Sequence, residues 1–205
     1  MNNIPIYSVV AYSGTGKTTL LEKLIAELKS RGLRVAVIKH DAHEFDIDHE
    51  GKDSWRFTRA GADVTVVASE SKAAIMENRP VSLEGLLDKI TDVDVILAEG
   101  YKSGHWPKIA VKRAATGKPL PLPAEECFAI VTDDPELTAA NKQKSESGQP
   151  GSFSTADTSA QRGTPEQHGT LEQGGAPEQK TPPSFGLDDI IKLADLIISD
   201  MQSKE

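Results

Sequence analysis

The chain has little of what marks a secreted, membrane-spanning or nucleic-acid-binding protein. Of its 205 residues one is cysteine. Cys127 therefore has no intrachain partner, and its place in the apolar run "CFAIV" reads as a buried strand residue in a reducing compartment. No apolar run approaches the ~20 residues that cross a bilayer. Positive charge is in deficit: 23 Lys and Arg face 31 Asp and Glu, a formal net charge of −8. That balance argues against nucleic acid or an anionic membrane surface as the main partner, while a local cationic site for phosphates needs only a few groups. Aromatics are 5% and hydrophobic residues 38%, with a mean hydropathy of −0.37. Part of the chain is therefore expected to bury nothing. Near the N-terminus, strand-like "IPIYSVVAY" runs into a glycine-rich loop with no signal-peptide pattern. The expectation is a soluble, cytoplasmic protein.

What is present is an alternation. "IYSVV" reads as a buried strand, and Leu20, Leu21, Leu24, Ile25 and Leu28 then recur at helical spacing, with Gly32 just past the helix end. "RVAVIK" and "DVTVVA" read as further strands, and "SLEGLLDKI" as a helix with Ser82 as N-cap. "DVILAEG", "KIAVK" and "CFAIV" complete the set. Strands alternating with helices imply crossover units, hence a doubly wound α/β fold with a mostly parallel sheet.

Composition changes after Pro135. Residues 136–183 are dominated by Ser, Thr, Gly, Gln, Pro and Glu, with a hexapeptide near-repeat in "TPEQHG", "TLEQGG" and "APEQKT". A β-helix needs an aliphatic side chain per turn, and Leu171 alone supplies one. The segment is expected to be a disordered insertion, because it cannot offset its ordering entropy. In "FGLDDIIKLADLIISDM", Ile190, Leu193, Ala194, Ile197, Ile198 and Met201 form one apolar helix face, and Asp188 and Asp189 suit its N-terminus. The predicted organisation is a core at 1–135, the insertion at 136–183, and a helix within 184–205 packing back on the core.

The chemistry concentrates in "VVAYSGTGKTTL", Val9 to Leu20. Gly14 and Gly16 allow a concave backbone whose N–H groups face phosphate oxygens, and the following helix adds its positive end. Lys17 can reach β- and γ-phosphates, and the Thr18 hydroxyl can ligate Mg²⁺. This is a P-loop in its required strand–loop–helix setting. By average residue frequencies, such a match arises by chance in about 1–2% of chains this long. Ser13, Thr15 and Thr19 complete the expected nucleotide contacts. Ala11 replaces the usual first glycine, which is tolerable if that position is still extended. An acidic group is also needed at a neighbouring strand's end. Parallel strands direct Glu99 to the ligand side and Asp94 to the opposite edge, so Glu99 is the predicted metal or water partner. Asp41 exits on the same side and is the second acidic candidate. The guanine-reading Asn-Lys-x-Asp motif of many GTPases is absent; Thr132 and Asp133 in "VTDD" occupy a suitable place for a nucleotide contact, from which the choice of base does not follow.

Further motifs are more particular. "KHDAHEFDIDHEGKDSWRFTRAGA" and "LAEGYKSGHWPKIAVKR", together with "SGTGKTTLLEKLI", resemble the MobB family of molybdopterin-guanine dinucleotide biosynthesis adapter proteins over residues 4–135. The resemblance implies a homodimeric P-loop protein that binds GTP and Mg²⁺ and hydrolyses GTP slowly at most. It implies work beside a MobA-like guanylyltransferase that attaches GMP to molybdopterin, and beside the molybdenum-insertion enzyme. Departures are Tyr101 where phenylalanine is common, Ala11, and the insertion.

Read by themselves, His40, His43 and His49 with Asp46 and Asp48 are candidate metal ligands or a polar loop on the nucleotide side. Lys52, Asp53 and Ser54 look like a helix entry, with Asp53 or Ser54 as N-cap; Lys52 is equally suited to facing phosphate. Tyr101 and Lys102, with Trp106, are candidates for holding the ring and phosphate of a pterin, or are ordinary packing. Two other functions remain open at this point: a small-molecule kinase, which would need arginines such as Arg56, Arg59, Arg79 and Arg113 gathered in a lid, and a metallochaperone GTPase using the histidines.

Overall fold

The computed structural model describes residues 4–40, 47–138 and 181–204. Six strands form one all-parallel sheet: β1 (Ile6–Val10), β2 (Val35–Lys39), β5 (Val95–Glu99), β6 (Lys108–Lys112), β7 (Ala129–Thr132) and β8 (Ser184–Phe185). Their spatial order is β2-β5-β1-β6-β7-β8, which sets β1 at the point where connections run off in both directions. In open α/β sheets ligands bind at the carboxyl ends of strands at such a point.

One sheet face packs under two helices, α1 (Lys17–Ser30) and α4 (Ile190–Gln202). Alternate residues Tyr7, Val9, Val95, Leu97, Ile109, Val111, Ala129 and Val131 meet Leu20, Leu21, Leu24 and Leu28 from α1. Leu193, Ala194 and Ile197 from α4 close the cluster, with Ile190, Ile198 and Met201 at its margin. The expected apolar face of the last helix is thus the one that packs, and the segments before and after the insertion share one core. Each fully buried leucine here contributes about 1.5–3 kcal/mol. At the surface, the Arg31–Asp195 ion pair at 2.5 Å joins the two helices, and Lys23–Asp188 at 2.7 Å joins α1 to the turn before α4. Gly32, at φ 84°, ends α1 as a left-handed cap, with the Leu33 amide donating to the Leu28 carbonyl.

The opposite face carries Val10, Ala110 and Ile130 beneath Leu122 and Cys127. Cys127 lies two residues before β7, at the end of a short 3-10 turn, and burial pushes its thiol up to about 11. At neutral pH it is a protonated, inert packing residue.

One element departs from the expected pattern. The third strand, β3 (Val64–Ala68), leaves the main sheet and pairs antiparallel with β4 (Ala73–Glu77), in register Val66↔Ile75. A turn of four residues, closed by the Ser69 amide on the Lys72 carbonyl at 2.7 Å, is too short for the crossover that parallel pairing requires. The hairpin lies beside α2 (Asp53–Arg59). Its apolar side chains are open to solvent: Val66 is 61% exposed and Ile75 66%, with Phe57 of α2 at 59%. The short helix α3 (Leu83–Leu87) follows, capped as expected by the Ser82 hydroxyl, which accepts from the Gly85 amide at 3.1 Å.

Candidate nucleotide-binding site

The loop between β1 and α1 has the conformation that its glycines predict. Gly14 and Gly16 take φ of 78° and 90°, in the left-handed region where a side chain is strained. Among the described residues, the non-glycine positions with positive φ are Asp92 and Tyr101, so Ala11 adopts no backbone that needs glycine. Its methyl group packs at the margin of the main core. The buried Thr15 hydroxyl donates to the Tyr12 carbonyl at 2.6 Å and closes the loop. Lys17 Nζ donates to the carbonyls of Ala11 and Tyr12 at 3.1 and 3.2 Å, which holds the ammonium over the loop rather than out in solvent. Ser13, Thr18 and Thr19 are exposed around it.

Strand register sets the acidic groups. Glu99 is paired with Val9 on one side and Lys39 on the other, at the edge where the loop begins. Asp94 stands at the far edge, where its carboxylate accepts from the Arg34 amide at 2.6 Å and from its guanidinium at 3.0 Å. The Arg34 bonds hold Asp94 below the usual carboxylate range. The Thr18 hydroxyl and the Glu99 carboxylate are oxygen donors of the kind that hold Mg²⁺.

Three consecutive residues at the end of β7 are engaged locally. The buried Thr132 hydroxyl accepts from the Asp134 amide at 3.0 Å. Asp133 accepts from the Ala114 amide at 2.6 Å and from Arg113 Nε at 3.0 Å. Asp134 accepts from Lys112 Nζ at 2.7 Å. The Ala114 amide first, and then Arg113, keep the Asp133 carboxyl below its usual value.

A second group of predicted residues gathers beside the loop. The backbone amide of His40 donates to the Glu99 carbonyl at 3.1 Å. The His40 ring lies 5.2 Å from Tyr101, and Tyr101 lies 5.6 Å from Trp106 in an edge-to-face arrangement. Tyr101 holds this place at φ 52°, a conformation costing about 1–3 kcal/mol for a non-glycine residue. Lys102 is exposed next to it.

Asp41, His43 and Asp46 lie outside the described residues. Ser54 donates to Asp48 Oδ1 at 3.1 Å, and His49 is exposed. Among the described residues no group of three His, Cys, Asp or Glu side chains could hold a metal ion. Lys52 occupies the N-cap position of α2, in place of the expected Asp53 or Ser54. Asp53 is instead the first helical residue, where its carboxylate meets the positive helix end, and the Ser54 hydroxyl is spent on Asp48. Two groups near the loop were missed as site residues. Arg113 Nη1 lies 3.8 Å from where a Cβ on Gly16 would stand. Lys118 Nζ lies 5.6 Å from the Tyr12 ring centre and 3.4 Å from the Ser13 carbonyl. Neither could be read from spacing, because the register of separate strands brings them there.

The family model of molybdopterin guanine dinucleotide synthesis protein B, MobB, matches residues 6–133. The chain belongs to the MobB family. It is 46% identical, over 138 residues, to the molybdopterin-guanine dinucleotide biosynthesis adapter protein of Haemophilus influenzae, covering 65% of this chain and 78% of that protein. Against the protein of the same description from Escherichia coli the identity is 40% over 141 residues, 65% of this chain and 81% of that one. The crystal structure of Bacillus subtilis MobB superposes with a TM-score of 0.61 at 25% identity, over 96% of this chain and 97% of that one. MobB membership covers the loop, Glu99, Tyr101 and the β6–β7 edge, and stops short of the C-terminal helix. The adapter role in molybdopterin guanine dinucleotide biosynthesis is the coarse function that this membership carries.

Proposed function

We propose that this MobB protein is a GTP-binding adapter that assists a MobA-like guanylyltransferase in attaching GMP to molybdopterin. The observation that supports it most is the loop of residues 11–18, with Lys17 held over it and Glu99 at the adjoining strand end. GTP lies with its phosphates on the amides of Gly14, Thr15 and Gly16, and Thr18 and Glu99 hold the Mg²⁺. The nucleotide serves as a switch for the complex, with slow hydrolysis at most. A molybdenum-insertion enzyme is the expected next partner, in the cytoplasm.

The kinase reading is the weaker one. Arg56 pairs with Asp53 at 3.5 Å, Arg79 pairs with Glu77 at 3.0 Å, and Arg59 covers the Trp55 ring at 5.2 Å. These three serve their own surface elements, and of the four candidate arginines Arg113 alone stands at the phosphate loop, so they do not converge in a lid.

Two finer assignments accompany this reading. A second copy of the chain covers the exposed β3–β4 hairpin, because Val66, Ile75 and Phe57 make an apolar surface that a monomer leaves in water. Molybdopterin lies against His40, Tyr101 and Trp106, whose rings offer stacking while Lys102 offers charge.

The deciding experiment is calorimetric titration with GTP, joined to capture of partners from the native cell with and without GTP. Lys17→Ala is expected to abolish GTP binding, and molybdenum-cofactor enzymes are expected among the captured proteins. Wild-type GTP affinity in Lys17→Ala would refute the site.

A further inference from the structure

The loop after β6 sends two cations towards the phosphate loop from outside it. β6 pairs with β1 through Val10↔Ala110, so the residue that follows β6 leaves the sheet at the same edge as Ala11. That residue is Arg113. On its other side β6 pairs with β7 through Lys112↔Thr132, which brings Asp133 alongside. The Asp133 carboxylate spans two donors of one turn, Arg113 Nε at 3.0 Å and the Ala114 amide at 2.6 Å. A guanidinium held through Nε has its direction fixed, and its two terminal nitrogens keep four N–H donors for other work. One of them, Nη1, faces the phosphate loop, 3.8 Å from the position of a Cβ on Gly16. Five residues on, Lys118 reaches the far side of the same loop, at the Tyr12 ring and the Ser13 carbonyl.

Lys17, Arg113 and Lys118 thus stand around one nest of backbone N–H groups in a chain of net charge −8. Three cations beside a cluster of amide dipoles repel one another, and Asp133 is the one carboxylate paired with any of them among the described residues. An anion of more than one charge relieves that repulsion. The loop amides around Gly16 are those that cradle α- and β-phosphates, so a guanidinium at Gly16 meets that end of the phosphate chain.

We infer that Arg113 is a nucleotide-binding residue that donates from its terminal nitrogens to the α- or β-phosphate, and that Asp133 is its positioning residue and does not read the base. The inference rests on the proposed nucleotide site and adds a second wall to it. It also gives the acidic residue at the end of β7 a positioning task in place of a direct nucleotide contact.

Fluorescent analogues of GTP, GDP and ATP, titrated into the full chain and its variants, test this, with thermal melts to establish folding. Arg113→Ala is expected to weaken GTP and GDP alike, by about 10- to 100-fold, as for a lost charge-assisted bond. Arg113→Lys restores part of the affinity, since it returns the charge without the fork. Asp133→Asn weakens both nucleotides by a smaller factor and leaves the GTP-to-ATP preference unchanged. Unchanged GDP and GTP affinity in folded Arg113→Ala, with Lys17→Ala defective, overturns this inference and leaves the nucleotide site standing. A changed GTP-to-ATP preference in Asp133→Asn returns that residue to base recognition. Failure of the wild type to bind any of the three nucleotides overturns both readings.

Discussion

The Tyr7 hydroxyl donates to Asp200 Oδ2 at 2.6 Å, joining the first strand of the sheet to the last turns of the final helix. Tyr7 is fully buried, and Lys204 Nζ completes the group, 2.5 Å from the same carboxylate oxygen. Burial pushes the tyrosine hydroxyl far above its ordinary value, and Asp200 raises it further. Burial works against the ionised form of Asp200, but the bonds from Lys204 and Tyr7 prevail and hold its carboxyl low.

Tyr7→Phe is therefore expected to cost about 1.5–3 kcal/mol, the net worth of one buried hydrogen bond to a charged acceptor. The pH dependence has a definite sign. In the unfolded chain the hydroxyl ionises near its ordinary value of 10.0, whereas in the folded chain it stays protonated well above that. Its contribution is thus complete below pH 10 and falls away as pH rises further. Urea titrations at pH 8 and pH 10.5 should show the wild type losing more stability than Tyr7→Phe over that interval. Equal losses would mean that the hydroxyl ionises in the folded state.

Gly16→Ala tests the loop backbone. At φ 90° an alanine is strained by about 1–3 kcal/mol, and its Cβ would stand 3.8 Å from Arg113 Nη1. Nucleotide affinity should fall at least tenfold, while Ala11→Gly should change it little. Calorimetric titration of both variants decides this; a large gain in affinity in Ala11→Gly would show that the methyl group obstructs the site.

Solvent-exposed Val66 and Ile75 are directly opposite on the hairpin. Replacing both with glutamate puts like charges across the strands and on the surface assigned to a second copy. Light scattering behind size exclusion should read a dimer for the wild type and a monomer for the double variant, with nucleotide binding retained. A double variant that remains dimeric would move the interface elsewhere.

For the ring cluster, Tyr101→Ala with Lys102→Ala should weaken pterin binding by about tenfold or more, followed by pterin fluorescence. One stacking face and one charge are each worth about 1 kcal/mol or more. The same titration with unchanged affinity would return Tyr101 and Trp106 to plain packing.

Local signals were legible in the sequence because their causes are local. Gly14 and Gly16 sit where the backbone turns left-handed, Leu20, Leu24 and Leu28 on the buried side of α1, and Ser82 at the N-cap of α3. The separation of Glu99 from Asp94 follows from strand direction alone, and the register places them accordingly. What was hidden depends on partners distant along the chain. "AAIME" is as good a helix as a strand by propensity, and becomes β4 because β3 lies across a short turn. β8 is two residues long and exists because β7 offers an edge. Arg113 looked like one scattered arginine until β6, β1 and β7 were placed side by side.

The edge strand β8 and helix α4 come late in synthesis, yet β7 and α1 depend on them. Until residues 184–202 have left the ribosome, Leu20, Leu24 and Leu28 lack their cover from α4, and β7 shows an unpaired edge. Val131 and Phe185 pair although far apart along the chain, and such a distant pairing is slow to form and leaves a nascent species with a sticky sheet margin. A chain truncated before Ser184 should therefore keep every residue of the nucleotide loop and still aggregate. In this fold, residues 184–202 act as the lock on the strand and helix that flank the nucleotide loop.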